Sequence, residues 1–219
     1  VDTSVFHPVD AEAKQALRRE LGLPESAPIL VYHGVFLYRK AVVWLLRALG
    51  PVLRETGAHL LLVGGGARDD HLTDYEQRVH KVAAESLAAE QIHLVGFSED
   101  VHRYLQAADA YVLPSVGEGL PNALLEAMAV GLAPVASSTS GSEDVIHHGV
   151  TGLLFRPRDQ DGLLDCLLPL LRPGGRDLRQ ELGRRAARTI TDHYSIDAAA
   201  ASYARLYRQI HQARHGRGG

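Results

Sequence analysis

The chain has 219 residues, a formal net charge of −3, 46 % hydrophobic and 22 % charged residues. That balance suits one globular domain with a small appendage and gives no electrostatic case for binding nucleic acid or membrane. The single cysteine, Cys166, excludes an internal disulfide or a multi-cysteine zinc site, and it is expected to pack as a small hydrophobe.

The opening VDTSVFHPVD reads as extended, with an X-Pro step. No signal peptide is legible and no apolar run approaches a membrane span, so a cytoplasmic location is expected. Residues 11–21 form a short amphipathic helical pattern closed by Gly22. A strand is expected at 29–32 and a helix at 42–56, with Pro51 kinking or dividing it. A buried strand at 59–63 runs into Gly64-Gly65-Gly66. A longer helix at 73–89 precedes a strand at 92–95, a short helix at 101–107 and a buried strand at 110–114, AYVLP. Two further strands fall at 133–137 and 152–155, with a helical turn at 143–147 between them.

Strands alternating with helices through short loops predict an α/β fold: a Rossmann-like parallel sheet of about six strands flanked by helices. From Asp159 the pattern is helical to the end, at 161–171, 177–193 and 196–211. The second of these is Arg-rich. The third carries Tyr203, Leu206, Tyr207 and Ile210 on one stripe, which reads first as core and becomes partly exposed if a further domain normally covers it. The expected divisions are 1–10 as a connecting segment, 11–193 as the main domain, 194–212 as a closing helix and 213–219 as a disordered tail.

The chemistry concentrates in SVGEGLPNALLEAMAVG, residues 115–131. Pro121 suits the first turn of a helix, since its missing N–H is not needed there. Ala123 to Ala129 are good helix formers, and Gly131 ends the run in the C′ position. Glu118 then lies in the strand-to-helix loop and Glu126 one to two turns into the helix. The amides of Leu120, Asn122 and Ala123 point out of the helix start, which makes an anion site. A carboxylate beside such a site can hold neutral polar groups, and sugar hydroxyls fit. The spacing alone fits equally well two acids that complement the helix dipole.

Lys40, with Arg39, follows the first strand, where ligands bind in open α/β sheets. A cation there would neutralise a diphosphate leaving group; the alternative is a solvated surface pair. Gly64-Gly65-Gly66 lacks the spacing of a P-loop and reads as a place of close backbone approach. Phe97, after the third strand, reads as core. Of the twelve histidines, His147 with His148, and His71 with His80, show no metal-ligand spacing.

EGLPNALLEAMAVGLAPVAS is similar to the E-x7-E signature of retaining glycosyltransferases of GT-B fold, family 4. The resemblance extends over nearly the whole chain. VDTSVFHP resembles the segment that opens the second domain of these enzymes, and HYSIDAAAASYARLYRQI resembles their closing helix. It implies the donor-binding half of a two-domain enzyme, whose first, acceptor-binding domain would precede this chain. The donor it implies is a nucleoside-diphosphate sugar, with a hexose moved to an acceptor hydroxyl with retention. Neither metal nor cofactor is implied. Glu118 would contact the sugar and Glu126 the ribose. The amides of Gly119, Leu120, Asn122 and Ala123 would meet the diphosphate, and the loop at Phe97 would border the base.

The family's G-R-x-x-x-x-K-G pattern is matched at Gly34 and Lys40 but departs at Val35 and Ala41, with Arg39 a candidate replacement for the absent arginine. Those departures keep a non-catalytic nucleotide-sugar-binding module open, and an epimerase of the same architecture is also open. A phosphorylase would need a late lysine for its pyridoxal phosphate, and none follows Lys81. SGSEDVIHHGVTGLLF resembles the family segment that shapes the cleft floor, with Ser140 and Asp144 departing.

Overall fold

The computed structural model describes residues 1–65 and 73–215. Gly66 and His71 lie outside the described residues, as does the tail beyond 215. The strands are β1 (Ile29–His33), β2 (His59–Val63), β3 (Ile92–Gly96), β4 (Ala110–Leu113), β5 (Ala133–Ser137) and β6 (Leu153–Phe155). They form one parallel sheet in the order β3-β2-β1-β4-β5-β6. Every residue of β1, β4 and β5 is buried, as a parallel sheet covered on its faces requires. The expected α/β fold and strand count are borne out.

The helices are α1 (Ala11–Glu20), α2 (Val42–Thr56), α3 (Asp74–Ala84), α4 (Val101–Ala107), α5 (Asn122–Ala129), α6 (Ser140–Glu143), α7 (Gln160–Leu171), α8 (Arg176–Thr189) and α9 (Ile196–His215). Asp10, Thr73 and Asp159 cap α1, α3 and α7 with side-chain oxygens.

Several expectations need correction. The helix across Pro51 is one element, because its broad apolar face, from Val42 to Leu53, holds it against the core while Pro51 faces out. Helix α3 ends at Ala84 rather than 89: the Ser86 hydroxyl accepts from the Ala88 amide at 3.2 Å and turns the chain. The turn expected at 143–147 is α6, three residues earlier, which frees Val145 and Ile146 to enter the core. The Arg-rich helix stops at Thr189 and a π-turn, Ile190–Tyr194, follows. The stripe of Tyr203, Leu206, Tyr207 and Ile210 is exposed, not core. Cys166 is buried, as expected. Among the described residues, no helix is long and apolar enough to cross a membrane.

Candidate functional site

Chain order reverses between β1 and β4, which are neighbours in the sheet. The crevice outside the carboxyl ends at such a switch point is where open α/β sheets take ligands. Two loops meet there, and the Val116 amide joins them by donating to the Arg39 carbonyl at 2.8 Å.

The first loop begins with Gly34 at φ +137°, whose amide donates to the Val63 carbonyl at 2.9 Å. Tyr38–Lys40 forms a 3-10 turn that ends on Ala41. Ala41 sits in the left-handed region at φ +53° and is buried. That conformation costs a non-glycine residue about 1–2 kcal/mol. It accounts physically for the glycine of the pattern that Ala41 departs from. Val35 is exposed on the same loop.

The second loop carries Glu118. Its carboxylate accepts from Lys40 Nζ at 2.6 Å and from Arg39 Nη1 at 3.1 Å. Lys40, Arg39 and Glu118, some 80 positions apart in sequence, are therefore one cluster. Burial alone would raise the Glu118 pKa, but the Lys40 hydrogen bond, with the charges of Lys40 and Arg39, holds it below the usual value. Behind the loop, α6 packs so closely that a Cβ on Gly141 would lie 1.3 Å from the Gly119 carbonyl oxygen. Gly119 is thus held from below, and the Ser140 hydroxyl donates to the Glu118 carbonyl at 3.3 Å.

Pro121 is the residue before the helix, not in its first turn: its backbone is extended, with φ −81° and ψ 103°. The Leu124 and Leu125 amides return to the Pro121 carbonyl at 2.9 and 3.2 Å. The amides of Asn122 and Ala123 therefore precede the first intrahelical bond and remain at the exposed end of the helix. Leu120 is exposed beside them, and Gly131 ends the helix at φ +81°. Phe97 follows Gly96 at the end of edge strand β3 and is 60 % exposed. The core reading of Phe97 is therefore wrong: a side chain just past an edge strand has no second layer to cover it.

Glu126 lies on α5 and meets a residue that sequence reasoning passed over. His33 Nε2 is 2.8 Å from Glu126 Oε2, and the His33 side chain is 7 % exposed. An ionised carboxylate only accepts, so Nε2 must carry the hydrogen. His33 Nδ1 is buried and has no hydrogen-bond partner among the described residues. The signal for it was present: a histidine closes an otherwise apolar strand pattern, one position before Gly34. Among the described residues, no three His, Cys, Asp or Glu side chains gather as they would around a metal ion. His148 instead accepts from the Leu154 amide at 3.0 Å.

The arrangement offers cations and free amides at one end of a crevice and two oriented carboxylates along it. That can hold an anionic group and a hydroxyl-rich group side by side. Comparison with known proteins places the chain in a family. A sequence model described as glycosyl transferases group 1 matches residues 27–173. Glycogen synthase of Thermus thermophilus is 32 % identical over 200 residues, spanning 91 % of this chain and 42 % of that protein. The structure of sucrose-phosphate synthase from Thermosynechococcus elongatus superimposes with a TM-score of 0.82 at 28 % identity, over 97 % of this chain and 51 % of that one. Anabaena HepE, solved in complex with UDP-glucose, shares the fold at a TM-score of 0.83 and 18 % identity, over 95 % of this chain and 56 % of its own. The chain spans about half the length of the curated relatives it matches. With the fold, the loop pair at the switch point and these matches together, the chain belongs to the glycosyl transferases group 1 family.

Proposed function

We propose that this chain is the nucleotide-sugar-binding half of a retaining family 4 glycosyltransferase that moves a hexose from a nucleoside-diphosphate sugar to an acceptor hydroxyl. The observation that carries the reading is the contact of Lys40 with Glu118, 2.6 Å, at the β1/β4 switch point. In the reaction the bond from the sugar anomeric carbon to the diphosphate oxygen breaks, and the diphosphate leaves with the electron pair. The acceptor oxygen bonds to that carbon and its hydroxyl proton is released. Negative charge builds on the departing oxygen, where a preorganised cation has most effect. Lys40, Arg39 and the amides of Gly119, Leu120, Asn122 and Ala123 take that part, with no metal or cofactor called for. Glu118 orients the sugar, Glu126 the ribose, and Phe97 borders the base.

The reach of Arg39 to Glu118 supports its replacing the arginine absent at Val35. Two cations then face the phosphates, which favours a catalytic enzyme over a binding module. The UDP-glucose held by HepE supports the donor class. A separate acceptor-binding domain belongs to the same reading, supported by the partial coverage of the relatives and the exposed stripe on α9. A cytoplasmic setting goes with it. The chain alone is expected to bind donor and to transfer weakly or not at all, and robust transfer by it would overturn the two-half assignment.

Calorimetric titration with UDP, GDP and ADP tests the reading, with Glu126→Ala as control. Uptake of one nucleotide, lost in the control, is the expected result. Uptake of none, or uptake unaffected in Glu126→Ala, would overturn it.

A further inference from the structure

The opposite pole of the sheet carries a second concentration of cations, which the donor reading does not use. A cleft of about 670 Å³ opens between residues 8–15, the entry ends of β1, β4 and β5, and helix α8. Its charged lining includes Lys14, Arg18, Arg176, Arg179 and Arg184 against Asp10, Glu25 and Asp109. Each acid is already engaged. Asp109 accepts from Lys14 at 2.7 Å, from Arg18 at 2.6 Å and from the Ile29 amide at 2.8 Å. Asp10 accepts from the Ala13 amide at 2.8 Å, and Glu25 from Arg19 at 3.2 Å.

The cations are not equally matched. Arg18 is saturated by Asp109 and backbone carbonyls, and Arg184 pairs with Glu181. Arg179 donates to the Leu170 carbonyl, which brings no counter-charge. Arg176 has no hydrogen bond or ion pair among the described residues and is exposed. Lys14 and Arg179 are both pushed below their usual pKa values, first by burial and then, against the pull of Asp109, by neighbouring cations: Arg18 and Arg179 for Lys14, Arg18 and Arg176 for Arg179. Five cations thus line the cleft against three carboxylates, and among the described residues neither Arg176 nor Arg179 is ion-paired.

We propose that this cleft is a second anion site, taking a phosphate monoester between Arg176 and Arg179 with Lys14 at its edge. The two arginines are one turn apart on α8, so they share a face. A guanidinium pair matches phosphate oxygens in bidentate fashion. The cleft has room for a sugar-sized group beyond the phosphate. Strand β4, four residues or about 13 Å long, separates Asp109 from the loop of Glu118. A ligand here therefore touches none of the donor residues.

The test titrates the 219-residue chain with inorganic phosphate and with glucose 1-phosphate at low ionic strength. Arg176→Gln/Arg179→Gln is compared with Lys40→Gln, each checked for a melting temperature close to that of the parent chain. Saturable uptake by the parent chain and by Lys40→Gln, weakened about tenfold or more in Arg176→Gln/Arg179→Gln, is expected. Tighter binding of the sugar ester would assign the ester as ligand; equal binding would assign the phosphate group alone. Unchanged affinity in the double variant, loss in Lys40→Gln instead, or no saturation by about 20 mM would overturn the proposal. The donor reading is decided separately by nucleotide uptake, so the two can fail independently.

Discussion

Two carboxylates stand at the two ends of β4, and each is held by one lysine and one arginine. Asp109, at the entry end, takes Lys14 at 2.7 Å and Arg18 at 2.6 Å. Glu118, past the exit end, takes Lys40 at 2.6 Å and Arg39 at 3.1 Å. The difference lies in what else the cations do. Arg18 is 4 % exposed and gives its other donors to the carbonyls of Ala107, Pro24, Glu25 and Ala27. Arg39 is 54 % exposed, and Lys40 makes its side-chain bond to Glu118. In the first cluster Arg18 is saturated, and the cluster ties α1 to the start of β1 and β4. The second keeps donors available, beside open helix amides. Similar ion pairs therefore serve structure at one end of a strand and binding at the other, and unused hydrogen-bonding capacity separates the two.

Breaking the entry cluster should have the largest effect. Asp109→Ala leaves the buried Arg18 and the half-buried Lys14 without their counter-charge, at a cost of about 3–5 kcal/mol. Thermal unfolding should fall by roughly 10 °C, while the folded protein keeps its nucleotide affinity. A parent-like melting temperature would show that the cluster is not structural.

Acid should act on both clusters. Burial pushes both carboxyls up, but paired cations hold Asp109 and Glu118 below their usual values of 3.8 and 4.5. A carboxyl depressed in the folded state contributes stability above its unfolded pKa and loses it as pH falls through the folded one. Melting temperature should therefore be level near neutrality and fall below about pH 4. The fall should be shallower in Asp109→Ala, and identical slopes would deny the linkage.

At the exit cluster the effect moves from stability to affinity. Lys40→Gln should weaken nucleoside-diphosphate binding about tenfold, while Glu118→Gln, which keeps an oxygen acceptor for Lys40, costs about 1–3 kcal/mol in stability, less than Asp109→Ala. Calorimetry and melting curves on the same two variants check this. Unfolding of Glu118→Gln would erase the contrast with Asp109. His33→Leu removes the donor that orients Glu126 and should lower nucleotide affinity several-fold with the fold intact. An affinity equal to the parent's would leave His33 a packing residue. The smallest effect belongs to Ala41→Gly, which relieves the left-handed backbone and should raise stability by up to about 1 kcal/mol, read as a rise of a few degrees in melting temperature.

The sequence by itself determined the alternation of strands and helices, the parallel sheet, and the loop placements of Glu118, Arg39 and Lys40. Local periodicity, glycine and proline positions and a dense motif carry that information within short windows. Helix ends were less legible, because the Ser86 hydroxyl takes a backbone amide in a way periodicity does not register. Phe97 was misjudged because whether a strand lies at the sheet edge is not written in its own residues.

Only the tertiary structure decided which groups meet. It joined His33 to Glu126 and Lys40 to Glu118, matched Asp109 with two cations of α1, and set α8 over a cleft with cations to spare. Each of these contacts spans some 80 residues or more, and chain order says nothing about such distances until the strands take their places in the sheet.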